Sequence, residues 1–168
     1  EVAVQGYDTN AKVNPPLRTQ ADVDALIEGL IDGTIDAIAT DHAPHADNDK
    51  CCEFSLSPFG ISGLETAFGS LMKLVHDGKV TLPLIIEKLT TAPVGIIGKN
   101  HGINGSLSVG DPADIVILNP NAEWTVDVSK FASKGKNTPL AGETLKGKVM
   151  VTIYGGNIVY QAEGKDNI

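Results

Sequence analysis

Residues 38–45 read IATDHAPH. An apolar run ends in Asp41, and His42 and His45 follow within four residues, with Pro44 between them. Upstream, TQADVDALIEGLID (19–32) sets Val23, Leu26, Ile27, Leu30 and Ile31 on one face at helical spacing. Thr19 with Asp22 is a variant capping box, and Gly33 is the stop. IDAIAT (35–40) then has the length and apolar character of a buried strand that delivers Asp41 at its C-terminal end. An earlier short strand is expected at NAKV (10–13), ended by Asn14-Pro15-Pro16. Residues 42–60 read as a polar, proline-bearing loop. Helices are expected over 62–77, from Thr81 to about Thr90 with Pro83 in the first turn, and over 93–97. Strand–helix alternation argues a parallel α/β arrangement, in which chemistry sits at the C-terminal strand ends. Two strands do not close a barrel, which takes eight and typically ~250 residues. The alternating part is therefore either a small α/β sheet or the last quarter of a barrel.

After about residue 102 the character changes. ADIVIL, EWTVDV, KVMVTIY and NIVY read as strands, and YGGN between the last two is a tight hairpin turn. The 168 residues suffice for one domain with a real core. The start, EVAVQGYDTN, has neither an initiator Met nor a signal-peptide pattern, so the chain is expected to begin partway through a larger protein. No run approaches the roughly 20 apolar residues of a bilayer span. The net charge of −8 argues against nucleic acid, which needs clustered Lys and Arg. The one basic cluster, SKGKN with LKGK nearby, reads as a solvated loop. Cys51 and Cys52 are adjacent and complete no zinc spacing, so they read as free thiols of a reducing compartment, the cytoplasm.

Each candidate site residue has a plainer reading beside the chemical one. Asp41 at the mouth of a buried strand needs a partner, either a metal or a proton-transfer role, but an aspartate there also caps turns. HAPH alone does not make a zinc site, because Pro44 argues against a helical HxxH pair. Asn14 can donate to and accept from a small polar substrate, and it can equally be a turn asparagine before proline. Arg18 can grip a carboxylate, but pairing with an acid of the following helix explains it more simply. Gly60 and Gly63 precede a helix whose first N–H groups favour anions, a weak signal by itself.

IDAIATDHAPH followed by SPFGISGLETAF, with KVNPPLR upstream, resembles the bacterial type I dihydroorotases of the amidohydrolase superfamily. LTTAPVGIIG, GSLSVGDPADIVILNP and FASKGKNTPLAGETLKGKVMVTIYGGNIVY are similar to the C-terminal portion of the same family, so the resemblance runs the whole chain in order. ADIVI is shared more widely, with hydantoinases, allantoinases and deacetylases.

The resemblance implies the C-terminal part of a (β/α)8 TIM-type barrel over residues 1–101. Residues 102–168 would be the C-terminal strands of a small β-sandwich. It implies reversible cyclisation of N-carbamoyl-L-aspartate to dihydroorotate in pyrimidine synthesis, with one or two zinc ions. Asp41 is implied as metal ligand and proton shuttle, taking a proton from water and returning it to the leaving ring nitrogen. Asn14, His45, Phe59 and Gly60 are implied as substrate-binding positions, and His42 as structural. The family's HxH pair, the arginine after it, the metal-binding aspartate or lysine and two later histidines have no counterpart here, so the chain alone is expected to be inactive. Leu140 stands where an aromatic is expected. Implied partners are the small-molecule substrate and the rest of the barrel. A homodimer and an association with aspartate transcarbamoylase stay open. The competing readings are a hydantoinase or allantoinase, which DHAPH with NPPLR disfavours, and a non-catalytic partner of aspartate transcarbamoylase.

Overall fold

The computed structural model describes residues 2–98 and 105–162. Its helices are α1 (Gln20–Asp32), α2 (Asp47–Lys50), α3 (Ala67–His76), α4 (Leu82–Leu89) and α5 (Thr91–Ile97). Its strands are β1 (Ile115–Thr125), β2 (Thr144–Tyr154) and β3 (Asn157–Gln161). The chain forms two compact units, each from two separated segments: 1–67 with 125–144, and 68–124 with 145–168. The domain boundary expected at 101/102 lies outside the described residues. Among the described residues, no helix is long and apolar enough to cross a membrane.

In the first unit, α1 starts as its sequence requires. The Thr19 hydroxyl accepts the Asp22 N–H, and the Asp22 carboxylate accepts the Thr19 N–H, closing a capping box of about 1 kcal/mol. Arg18 pairs with Asp22 at 3.2 Å, the local pairing expected of it. Gly33 ends the helix at φ 85°. The apolar stripe is only half covered: Ile27 and Leu30 are buried, while Leu26 and Ile31 are exposed. Gly29 lets the returning chain come close, because a Cβ there would stand 3.1 Å from the Ile35 side chain.

The two short strands expected in this unit do not form. Residues 9–11 make a 3-10 turn, with the Asp8 carboxylate accepting the Asn10 N–H. Residues 35–40 carry no ladder. A strand exists only where a neighbour takes its N–H and C=O groups. Among the described residues the only pairing here is one parallel bridge between His42 and Ile61. The helix expected over 62–77 begins at Ala67, because the preceding N–H groups of Gly63 and Leu64 are drawn to the His42 ring.

The second unit follows the sequence more closely. Thr81 caps α4 through the Leu84 N–H, with Pro83 in its first turn. Phe68 and Met72 of α3, Ile85 of α4, and Met150 and Val151 of β2 are buried. Fully burying Met72 or Ile85 contributes about 1.5–3 kcal/mol each. Helix α3 lies directly on β2: a Cβ on Gly147 would stand 2.5 Å from Met72 Cγ, and one on Gly69 would stand 3.1 Å from the Gly147 carbonyl. The sheet order is β1-β2-β3, and β2 and β3 are antiparallel. ADIVIL and EWTVDV, expected as two strands, join into the single strand β1. Gly155 and Gly156, at φ 55° and 79°, form the two-residue turn between Tyr154 and Asn157.

Candidate functional site

All five candidate residues fall in the first unit. Asp41 sits at φ 44°, in the left-handed region that aspartate enters more readily than most residues. Its side chain is exposed, and among the described residues no donor occupies its carboxylate. The turn it makes hands the chain to His42. The His42 Nδ1 accepts the Gly63 N–H at 3.1 Å and the Leu64 N–H at 3.3 Å, and its Nε2 faces Ser133 Oγ at 3.3 Å. An Nδ1 that accepts places the ring proton on Nε2, which donates to Ser133. His42 is thus a three-way tie between loops.

His45 is brought to Phe59 and Gly60. Its Nε2–H donates to the Phe59 carbonyl at 2.9 Å. Gly60 holds φ 143°, and a Cβ there would stand 2.7 Å from Ala43 Cβ and 2.8 Å from His45 Nε2. Asn14 lies two residues beyond Lys12, whose carbonyl accepts the Gly60 N–H at 2.9 Å. Asn14, Phe59 and Gly60 therefore belong to two segments tied directly together. Asp41 opens the loop that His45 closes.

Asn137, not singled out from the sequence, organises this arrangement. It is 4% exposed. Its Nδ2 donates to the Ala43 carbonyl at 3.1 Å and to the Gly60 carbonyl at 3.0 Å. Its Oδ1 accepts the His45 N–H at 2.8 Å and faces the Ser62 hydroxyl at 3.0 Å. One amide thus uses both donors and both acceptor sites to join the DHAPH loop to the SPFG segment. Gly135 gives room for the crossing, since a Cβ there would stand 2.5 Å from Pro44 Cβ and 2.7 Å from His45 N. Lys136 folds back, its Nζ donating to the Phe131 and Ser133 carbonyls. SKGKN is therefore not a solvated basic loop, and Gly135 and Asn137 within it are buried. Replacing Asn137 with Ala strands several buried groups, each costing about 1–3 kcal/mol. A loss of about 3 kcal/mol in unfolding free energy is expected, readable by denaturant melts of a full-length protein carrying this chain.

Among the described residues, no group of three or more His, Cys, Asp or Glu side chains converges as a metal site would require. Asp41 fits as one exposed oxygen donor, and a zinc site takes three or four protein ligands. Cys51 and Cys52 are free and exposed, and the Cys52 thiol turns to the Asp49 carbonyl.

Comparison with known proteins defines the class. The profile of the amidohydrolase family matches residues 9–159, and the chain belongs to that family. Within it, the chain is 55% identical over 164 residues to a dihydroorotase of Caldanaerobacter subterraneus subsp. tengcongensis, covering 97% of this chain and 37% of that one. It is 51% identical to a dihydroorotase of Geobacter metallireducens, covering 95% of this chain and 37% of the relative. The chain thus spans little more than a third of these relatives. Among solved structures, an L-hydantoinase (dihydropyrimidinase) from Arthrobacter aurescens superposes with a TM-score of 0.86 at 29% identity, covering 95% of this chain and 36% of that one. A dihydropyrimidinase from Brevibacillus agri superposes at 0.80 with 24% identity, covering 91% and 34%.

Proposed function

We propose that the chain is the C-terminal part of a zinc-dependent dihydroorotase. The whole enzyme interconverts N-carbamoyl-L-aspartate and (S)-dihydroorotate in pyrimidine biosynthesis. The observation that carries this reading is the closure of the Asp41–His45 loop onto Phe59–Gly60, through the 2.9 Å bond from the His45 ring to the Phe59 carbonyl. One of the two stretches that meet there, DHAPH, is together with NPPLR the part most particular to the dihydroorotase resemblance.

Zinc, when bound, polarises the amide carbonyl and makes water acidic enough to attack near neutral pH. This chain's part is proton transfer and substrate orientation. The Asp41 carboxylate, free of donors among the described residues, takes the proton released as the ring amide is attacked, and returns it to the departing ring nitrogen. In the cyclising direction the same carboxylate takes the proton from the carbamoyl nitrogen. The His45 Nε2–H is committed to Phe59, so its Nδ1 is the ring atom left to face the substrate, donating to a carboxylate when the ring is charged. Asn14 offers an amide that both donates and accepts. The Phe59–Gly60 backbone, fixed on Asn137 and Lys12, gives the ring a firm edge to rest against.

His45→Ala or Asn14→Ala in a full-length protein carrying this chain is expected to raise KM for dihydroorotate by about tenfold to a hundredfold, as for lost hydrogen bonds to a charged group. Zinc content by atomic absorption is expected to stay at the wild-type level. Loss of zinc in either variant would contradict these roles.

A further inference from the structure

Two lysine side chains near the site have no part in the reaction described above. Lys12 is 9% exposed and Lys50 is 5% exposed. Burying an ammonium group is costly unless its charge is met. Among the described residues, no carboxylate lies in salt-bridge contact with either one. Backbone carbonyls cage both cations instead. Lys12 Nζ donates to the Phe54 carbonyl at 2.7 Å and the Ser55 carbonyl at 3.1 Å. Lys50 Nζ donates to the Pro58 carbonyl at 2.7 Å and the Thr9 carbonyl at 3.1 Å. Lys12 Nζ also lies 4.7 Å from the Phe59 ring centroid and 5.3 Å from that of Phe54. Burial first, and the neighbouring Lys12 charge second, hold the Lys50 pKa below lysine's ordinary value, against smaller opposing effects of Asp8 and Cys52. The Asp8 carboxylate is itself engaged with the Asn10 N–H.

The placement has two consequences. The four carbonyls belong to residues 9 and 54–58, so the ammonium groups set the loop carrying Phe59 and Gly60 against the segment carrying Asn14. Carbonyl dipoles also leave a cation's net charge in place, whereas a carboxylate would cancel it. Two positive charges therefore stand behind the segments assigned to the substrate, in a chain of net charge −8.

We propose that Lys12 and Lys50 are the positioning pair for the anionic end of the substrate. They lock the Phe59–Gly60 edge to the Asn14 segment and lend it uncancelled positive charge. This rests on the dihydroorotase reading and adds charge selectivity to it. N-carbamoyl-L-aspartate carries two carboxylates and dihydroorotate one, so the pair acts more strongly on the open-chain substrate.

The test is steady-state kinetics in both directions on full-length enzyme, wild type against Lys12→Met and Lys50→Met. KM for N-carbamoyl-L-aspartate is expected to rise about tenfold and KM for dihydroorotate about threefold, the scale of charge-focused binding in a cleft. The kcat and zinc content are expected to stay near wild type. If a Met variant does not fold, Lys50→Gln, which keeps two donor hydrogens without the charge, is expected to show the same ordering of the two KM values. Equal KM changes in the two directions, or none, in folded variants would overturn the proposal. A wild-type protein that turns over neither compound would instead defeat the dihydroorotase reading.

Discussion

Asp41→Asn in a full-length protein carrying this chain is expected to lower turnover by about 10²–10⁴-fold in both directions, the usual worth of a positioned acid–base group. Asparagine is the informative replacement. The backbone at residue 41 sits at φ 44°, which asparagine tolerates about as well as aspartate and alanine does not. The amide keeps an oxygen on the same arm but does not accept and return a proton. Rate loss in Asp41→Asn therefore reports on proton transfer, while Asp41→Ala, for which near-complete loss is expected, adds backbone strain to the lost chemistry. Equal losses in hydrolysis and cyclisation are required, because one group serves both directions along one path. A variant with near-wild-type rates would remove Asp41 from the mechanism.

Gly60→Ala carries the second large effect. Three groups crowd the missing Cβ below 3.0 Å: Ala43 Cβ at 2.7 Å, the Ala43 carbonyl at 2.8 Å and His45 Nε2 at 2.8 Å. Two of them lie on the chain that Asn137 pins, so they yield little. The φ of 143° adds strain for any residue with a Cβ. The histidine ring is the more mobile of the three, and moving it breaks its bond to the Phe59 carbonyl. Displacement of about 1 Å at a substrate-orienting group costs on the order of 10²-fold in rate. The expected result is a fall in kcat/KM of about that size, with a loss of a few kcal/mol in unfolding free energy. Unchanged kinetics would mean that the His45–Phe59 bond has no bearing on the substrate.

Local signals were the legible part of this chain. Thr19, Gly33, Thr81 and the Gly155-Gly156 pair act where they stand in the sequence, because caps and tight turns are settled by neighbours within a few residues. Residues 10–13 and 35–40 form no strand for the opposite reason. Apolar character marks a segment fit to be a strand, but only a neighbouring strand makes it one, and among the described residues the one pairing near them is His42 with Ile61. Leu26 and Ile31 show the same principle on α1, where periodicity marks an apolar face wider than the part that is covered.

The site divides along similar lines. DHAPH and SPFG are contiguous motifs and could be found by eye, including the structural role of His42. Asn137 joins the site from 92 residues beyond His45, in a stretch that looks like a basic loop. Its importance lies in four simultaneous bonds that no spacing announces. Lys12 and Lys50 were hidden by residue type, since lysine is ordinarily a surface residue and burial is seen only in the fold.

The most direct measurement is substrate preference. A full-length, zinc-loaded protein carrying these residues would be assayed in parallel on (S)-dihydroorotate, hydantoin and allantoin. Hydrolysis of dihydroorotate to N-carbamoyl-L-aspartate, with kcat/KM orders of magnitude above the other two, is the expected result. A preference for hydantoin or allantoin would contradict it, placing the site with the other cyclic amidohydrolases. No turnover of any of the three by folded, zinc-loaded protein would contradict it too, and would point to a non-catalytic homologue.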